Sequence, residues 1–167
     1  MSRRMVLLCL LVAFAPLAGA GMGCGSTTER TPSVAIDIAE RGPDGLPIIF
    51  RHIEREETAK IEALLDAGAD IEAPGFQHAT PVLAAASADI WPIVLMLIER
   101  GAALDAVDRS GFTLPWLAAT SRVSEGSSDW AALARVREIL RERGMMDRTH
   151  EPNEVKKLVE EGRWPRG

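Results

Sequence analysis

The stretch ATPVLAAASADIWPIVLMLIERGAALDA, residues 79–106, contains two short helical patterns, each with a start or a stop signal. Thr80 followed by Pro81 is typical of a helix start, because threonine caps a first turn and proline is tolerated at its first position. Apolar residues recur at helical spacing in the second pattern: Ile90, Val94, Leu97 and Ile98. Gly101 then predicts a helix end, since glycine readily adopts the left-handed conformation found there.

The same pattern of helix start and stop signals occurs again elsewhere in the chain. LLDAGADIEA at 64–73 returns as LIERGAALDA at 97–106, an offset of 33 residues, and Thr80 returns as Thr113. A third stop, LRERG at 140–144, comes 43 residues after the second, which indicates an insertion of ten residues. Internal repetition of this period is the signature of a repeat architecture.

A 33-residue unit with Thr-Pro, paired alanines and the stop V-x-x-L-[LI]-x-x-G-A resembles the ankyrin repeat family, over roughly residues 43–146. The best-matching unit, 78–110, fills the motif with Thr80, Pro81, Ala85, Ala86, Val94, Leu97, Ile98, Gly101 and Ala102. It departs from the family at Leu83, where histidine is usual, and at Asp89, where glycine is usual. In the third unit TLPW replaces TPLH, which displaces Pro115 by one position.

The resemblance implies an all-α fold, an ankyrin-repeat solenoid of helix-turn-helix units with short finger turns and a C-terminal helical cap. About three units are expected, at roughly 43–77, 78–110 and 111–146. The cap is expected at 150–164, where NEVKKLVEEGRW copies the end of a repeat. The segment beginning at Thr31 is expected to form an N-terminal cap, because a stack with open apolar ends would aggregate.

Three local features carry specific expectations. Asp89 is expected to cap the second helix of the best-matching unit, and either Ser128 or Asp129 the corresponding helix of the third unit. His78 occupies the glycine position of a finger turn, where histidine tolerates a positive φ better than bulky residues do. The ten inserted residues fall in SRVSEGSSDW, 121–130, whose composition predicts a surface loop.

The chain begins with a pattern typical of export. Two arginines precede an apolar run and then small residues, so residues 1–23 are interpreted as a signal peptide. A membrane span would need about 20 apolar residues, and Pro16 interrupts this run. Two routes stay open: ordinary cleavage after Ala20, or processing at GMGC, where Cys24 would accept a lipid.

GMGC resembles a bacterial lipoprotein lipobox, although Gly21 stands where that family usually has leucine. Lipidation is favoured over an unmodified Cys24, because a lone cysteine directly after the apolar run has no other evident role. A flexible tether at 24–33 then leads to the ankyrin-repeat domain at 34–167. Gly25 lacks the aspartate that tends to retain lipoproteins in the inner membrane, so the resemblance implies a periplasmic protein anchored to the outer membrane.

Composition and motifs disfavour several functional classes. Without the two arginines of the signal, 17 basic residues face 24 acidic ones, a net charge of −7 that argues against a nucleic-acid partner. The chain has none of the common catalytic or nucleotide-binding motifs. Its histidines, His52, His78 and His150, lack the spacing of metal ligands. We therefore expect no catalytic residue, no metal and no cofactor.

Aromatic residues near the turns are the candidate contacts for a partner, because exposed tryptophan and phenylalanine often anchor interfaces. Local packing is the alternative for each of them. Trp116 and Trp164 are expected to pack in the core and in the C-terminal cap. The predicted protein-binding residues are Phe76, His78, Trp91, Arg109, Phe112 and Trp130.

The resemblance implies a surface that binds another protein. The first hypothesis is a non-enzymatic cell-envelope lipoprotein that binds a protein, including the narrower case of an immunity protein against an envelope-targeted toxin such as a type VI secretion effector. The alternative is a structural or stress-response lipoprotein that supports another envelope enzyme or assembly. An enzyme is a third hypothesis, disfavoured by the missing motifs. Contact with the membrane is expected only through the lipid anchor.

Overall fold

A computed structural model describes residues 36–147 and 149–164, and this part of the chain is all-α, as expected. Its seven helices are α1 Ile48–Glu54, α2 Thr58–Asp66, α3 Pro81–Ser87, α4 Trp91–Glu99, α5 Leu114–Thr120, α6 Ser128–Glu142 and α7 Pro152–Glu160. A single 3₁₀ turn, Phe76–His78, precedes α3. Every helix in these two ranges is too short or too polar to cross a bilayer.

The predictions that concern export fall outside the described residues. They are the signal peptide at 1–23, the lipid acceptor Cys24 and the tether at 24–33. The expected start of the N-terminal cap at Thr31 lies there too.

Two helices begin directly after a threonine, as the sequence predicted. Pro81 is the first residue of α3 and follows Thr80, and Thr113 holds the same position before α5. The Thr113 hydroxyl accepts a hydrogen bond from the Trp116 amide at 3.4 Å. The buried Thr80 hydroxyl has no hydrogen-bond partner among the described residues. Both threonines have extended backbone, as expected of a residue that precedes a helix.

Two expected helix caps are wrong. Ile90, not Asp89, occupies the cap position of α4, and Asp89 instead takes a left-handed φ of 59°. Asp89 thus adopts the backbone conformation that glycine enters most easily. The cap of α6 is Ser127, one residue before the expected Ser128 or Asp129, and its hydroxyl accepts a first-turn amide at 3.1 Å.

Four helices end with the same backbone hydrogen bond. In each, the amide after a glycine donates to the carbonyl five residues earlier, over 2.8–3.0 Å. The donor and acceptor pairs are Ala69 to Leu64, Ala102 to Leu97, Met145 to Leu140 and Arg163 to Leu158. This bond closes a Schellman motif, which satisfies a carbonyl left open by the helix end. Gly101, with a φ of 95°, is therefore confirmed as the stop of α4.

Three short turns precede α1, α3 and α5, and we call them finger 1 (41–47), finger 2 (74–80) and finger 3 (107–113). Each is closed by one backbone hydrogen bond of 2.8–3.2 Å. The bonds run from Gly42 to Leu46, from Gly75 to Ala79 and from Asp108 to Phe112. Successive bonds are thus 33 residues apart in the sequence, the same period as the residue pattern.

The helices pack in pairs, α1 with α2, α3 with α4 and α5 with α6. Between pairs, α3 contacts both α1 and α5, and α4 contacts α6. The buried aliphatic and aromatic side chains of these six helices form one cluster. Polar contacts also join the pairs: Arg100 binds Asp66 at 2.5 Å, and the Glu72 carboxylate accepts the Ala103 amide at 2.7 Å.

The insertion lengthens the second helix of the third pair. α6 has 15 residues, whereas α2 and α4 have 9 each. Because the three helices end with the same hydrogen bond, the additional residues lie at the start of α6, where they extend it by roughly 9 Å. Residues 121–127, which precede α6, form a surface loop and are mostly exposed. The loop predicted over 121–130 is wrong at its end, because residues 128–130 form the first turn of α6.

The C-terminal helix α7 lies within the range expected for a cap, 150–164. Its side chains Val155 and Leu158 are buried, so one face of the helix is covered by protein. The indole N–H of Trp164 donates to the carbonyl of Asp105 at 3.4 Å. Trp164 therefore joins the segment after α7 to the segment that follows α4.

Candidate protein-binding site

The tip of finger 2 presents the most exposed large apolar side chain of the described residues. Phe76 is 74 % exposed and begins the 3₁₀ turn. Its neighbours Gln77 and His78 are also exposed, and their φ angles are 52° and 59°. A left-handed backbone is costly for residues that carry a Cβ. The backbone conformation of the tip is therefore maintained by contacts with the surrounding structure, because it is not the conformation that Gln77 and His78 favour.

Hydrogen bonds to the backbone hold this tip in place. The His78 amide donates to the Gly75 carbonyl at 3.1 Å, inside the bond that closes the finger. The Arg109 amide, on the neighbouring finger, donates to the Gln77 carbonyl at 2.8 Å. Fingers 2 and 3 are thus joined tip to tip, which fixes the position of Phe76 relative to Arg109.

Finger 3 is organised by one carboxylate. The Asp108 side chain accepts the amides of Ser110 and Phe112, each at 2.8 Å, and Arg109, the residue after Asp108, is exposed. Phe112 is half-buried and packs against Trp116 with ring centroids 5.1 Å apart. Trp116 is half-buried too, in place of the core position that the sequence predicted.

Trp91 is completely buried, so the exposed position expected for this predicted binding residue is wrong. Its indole N–H lies 2.9 Å from the Asp89 carboxylate and 3.1 Å from the Ser121 hydroxyl. The Ser121 hydroxyl donates to the same Asp89 oxygen at 2.6 Å. Trp91 is the first residue of α4, and its ring packs in the core while its N–H reaches two polar partners at the surface.

Trp130 lies in the first turn of α6 and is half-buried against the core. The Arg137 guanidinium carbon lies 5.6 Å from the centroid of its ring, within the range of a cation–π contact. The Arg137 Nε donates to the Ala118 carbonyl of α5 at 2.8 Å. These contacts fix the Arg137 side chain over the tryptophan.

The six predicted binding residues do not form one site. Phe76, His78, Arg109 and Phe112 belong to the fingers. Trp130 follows the inter-helix turn at the other end of α5, a helix of seven residues that spans about 10 Å. Because Trp91 is internal, the finger residues alone form a continuous candidate surface.

The first inter-helix turn holds a small charged network. The Glu57 carboxylate lies 2.8 Å from the Lys60 ammonium and 2.6 Å from the His52 Nδ1. Hydrogen bonds from Lys60 and then His52 lower the pKa of Glu57 from 4.5 to about 2. All three groups are partly open to water, so the network is a surface feature of the turn.

The three histidines lie in three different places. His52 contacts Glu57, His78 is at the tip of finger 2, and His150 lies 3.0 Å from Glu154 beside the Trp164 ring. Within 36–147 and 149–164, no three His, Cys, Asp or Glu side chains are grouped as metal ligands.

Two features of the surface were not predicted from the sequence. One is the Asp89–Ser121 hydrogen bond, which anchors the inserted loop; an acidic residue in a glycine position was its only signal. The other is Arg137, which follows Ile61 and Val94 at the repeat offset and breaks their apolar pattern. The sequence alone could have revealed this departure, because a charged residue at a position that is apolar in the other units needs an explanation.

A scan against protein-family models gave no match to this chain, and a search of curated proteins gave none either.

Proposed function

We propose that this chain is an ankyrin-repeat protein that binds another protein and has no enzymatic activity. The ankyrin assignment is supported by the 33-residue period of the finger bonds and by the identical helix ends. The first two inter-helix turns support it as well: the Glu57 amide donates to the His52 carbonyl at 2.9 Å, and the Ile90 amide donates to the Ala85 carbonyl at 3.0 Å. Backbone geometry that repeats at the period of the sequence is what a solenoid of similar units requires.

The observation that carries the binding role is the exposure of Phe76 on a held, left-handed turn. A large apolar side chain in water is unfavourable, since burying one contributes about 1.5–3 kcal/mol. Residues held in sparsely populated backbone conformations cluster at binding sites, because the surrounding structure has to maintain them. The combination is expected of an interface anchor, with the neighbouring Arg109 supplying a charged contact.

The proposed location is the bacterial cell envelope, with a lipid on Cys24 anchoring the protein to the outer membrane on its periplasmic side. The support is the order of residues at the start of the chain: an apolar run, GMGC and then a polar segment rich in serine and threonine. Metabolic labelling with a fatty acid tests it. Label on the wild type and none on Cys24→Ala is the expected result, and equal labelling would contradict lipidation.

The narrower proposal is an immunity protein that neutralises an envelope-targeted toxin. It predicts a tight one-to-one complex in which finger residues meet the toxin. The experiment compares the wild type with Phe76→Ala/Arg109→Ala as bait for envelope proteins, and then measures the affinity for the captured protein by calorimetry. We expect at least about a tenfold loss, because truncating an interface anchor that dominates binding costs about 2 kcal/mol or more.

Ile36→Ala is the matched control, because Ile36 is 43 % exposed and precedes finger 1, so it belongs to neither finger 2 nor finger 3. It removes a comparable exposed apolar side chain and should leave the affinity unchanged. If the finger variant and the control bind the captured protein equally well, the fingers are not the binding surface.

A further inference from the structure

One face of α6 has no covering helix in the described structure, although the equivalent face of α4 is covered. Trp91 and Val94 of α4 are completely buried. The residues 43 positions later, at the offset of the third helix stop, are Ala134 and Arg137. Ala134 is exposed and Arg137 is half-exposed. The third pair therefore ends the row with a surface that, one unit earlier, is an interface between helices.

Four residues share this face, and we call them the α6 stripe. They are Trp130, Ala134, Arg137 and Arg141. Spacings of four, three and four residues place side chains on one side of an α-helix, one turn after another. An aromatic ring, a small residue and two cations thus follow one another along about three turns of the helix.

The Arg137 guanidinium is held by neighbouring groups and keeps unused donors. Its Nε is bonded to the Ala118 carbonyl and its plane is near Trp130, which leaves the two terminal amino groups for another partner. Among the described residues, Arg137 and Arg141 make no ion pair. Arg135 on the same helix differs, because it pairs with Glu138 at 2.5 Å.

A polar outer face by itself is what the last unit of a repeat protein needs for solubility. Solubility doesn't require an arginine fixed over a tryptophan, however, because freely solvated side chains serve as well. Fixing the guanidinium reduces the entropy that is lost when it binds, and its planar fork matches a carboxylate. The arrangement is therefore that of a prepared anion contact beside an apolar surface.

From these observations we infer that the α6 stripe is a docking surface for an acidic helical segment of a protein partner. The segment lies where the second helix of a further unit would lie. Its carboxylates pair with Arg137 and Arg141, and its small or apolar residues pack on Trp130 and Ala134. Cations that lack an acidic partner among the described residues are matched by acids in the partner protein.

A long polyanion fits this surface less well than a helix does. Glu138 and Glu142 lie on α6 beside the stripe and would repel a chain of phosphates. The chain as a whole also carries a net charge of −5. A helix can place its own carboxylates toward the two arginines alone, and its apolar face meets the aromatic ring.

This surface is separate from the fingers of the proposed function. The two proposals therefore fail independently: Phe76→Ala/Arg109→Ala should leave binding at the α6 stripe intact, and changes in the stripe should leave binding at the fingers intact.

The test uses the full chain and a designed, fluorescently labelled helical peptide of about 15 residues, a length at which helix formation becomes favourable. The probe carries glutamates four residues apart beside alanine and leucine. Its matched control has the same composition, with the glutamates moved to opposite faces. We expect the wild type to bind the probe at least about tenfold more tightly than the control, because hydrogen bonds between charged groups are stronger than those between neutral groups.

Variants on α6 assign the contact. Arg137→Gln and Arg141→Gln should each weaken probe binding by about tenfold, and Arg135→Gln by less than about twofold. Trp130→Phe keeps an aromatic surface and should retain binding, which separates loss of the contact from loss of folding. The melting temperature of each variant is measured alongside.

Other results would overturn the inference. Equal binding of the two peptides would show that no directed carboxylate contact exists, and full binding by Arg137→Gln would remove the residue on which it rests. If the protein bound a short oligonucleotide or anionic vesicles more tightly than the peptide, and this binding required Arg137, the ligand would be a phosphate-bearing surface and not a protein helix. Self-association that Arg137→Gln abolishes, seen by sedimentation, would make the occupant a second copy of this chain.

Discussion

The finger turns and the inter-helix turns lie at opposite ends of the first helices, and they differ in how much change they tolerate. All three fingers keep the same closing bond, although the donor residue is glycine in two of them and Asp108 in the third. Two inter-helix turns share a bond as well, but the third is replaced by the loop 121–127 and a longer α6. The finger edge is thus constant in backbone, and the inter-helix edge is not.

The physical difference is what each turn contacts. Finger 3 bonds to finger 2 through Arg109, so an insertion there would break a contact between units. The inter-helix loop is mostly exposed and is anchored to the previous unit at its start, where Ser121 meets Asp89. An exposed loop can grow at little cost, since the entropy of closing it rises slowly with length.

The same comparison separates two aromatic residues that the sequence placed in one class. Phe76 of the finger edge is exposed, and Trp91 of the inter-helix edge is buried. Trp91→Ala should lower the free energy of unfolding by about 3–5 kcal/mol, because it empties a core position. Phe76→Ala should change it by less than about 0.5 kcal/mol. Urea unfolding of both variants checks the contrast, and similar losses would contradict it.

A second change probes the close packing of finger 3. Gly111 has a φ of 85°, and a Cβ there would overlap the carbonyl oxygen of Pro152 at the start of α7. Gly111→Ala should therefore destabilise the protein by about 2–3 kcal/mol through strain and overlap together. Gly126→Ala is the control, since Gly126 has a similar φ of 87° and open space around it. Equal losses in thermal unfolding would show that packing against α7 contributes nothing.

A third change relieves the strain at the tip of finger 2. His78→Gly should stabilise the protein by about 0.5–1 kcal/mol, because glycine adopts the left-handed φ without a Cβ, partly offset by its freer unfolded chain. His78→Ala keeps a Cβ and should give no gain. Chemical unfolding measures the free energy of unfolding of the two variants. Equal values for His78→Gly and His78→Ala would show that the backbone strain does not lie at residue 78.

The smallest effect concerns the first inter-helix turn and depends on pH. The pKa of Glu57 is about 2 in the folded protein and 4.5 ordinarily, so its contribution to stability is full above pH 4.5 and is lost as the pH falls toward 2. The difference in unfolding free energy between the wild type and Glu57→Gln should shrink over this window. A difference that stays constant from pH 5 to 2 would contradict the network.

Local signals in the sequence predicted much of the all-α architecture. Gly101 ends α4 because glycine, which lacks a Cβ, can adopt a left-handed conformation. Pro81 begins α3 because its ring fixes φ at a value suited to the first turn of a helix. The inserted loop was predicted by composition. The finger residues Phe76 and Arg109 were also identified as exposed candidates from their place in the repeat.

Whether a given side chain faces the core or the solvent was harder to predict. Trp91 and Trp130 both lie beside inter-helix turns, yet one is internal and the other half-exposed, because the third unit covers α4 and no described helix covers the same face of α6. Asp89 was expected to cap a helix, but its carboxylate is used by Trp91 and Ser121. These outcomes depend on residues about 30 positions away, which local pattern does not describe.

The sequence by itself determined the period of this protein and the glycine stops at the C-terminal ends of its helices, because those follow from the conformational limits of single residues and from apolar spacing. Only the tertiary structure decided which aromatic rings are internal, which carboxylate holds the inserted loop, and that a cation of α6 is fixed over Trp130 at an uncovered end. Those features arise between units, where the environment of a side chain is set by its neighbours in space.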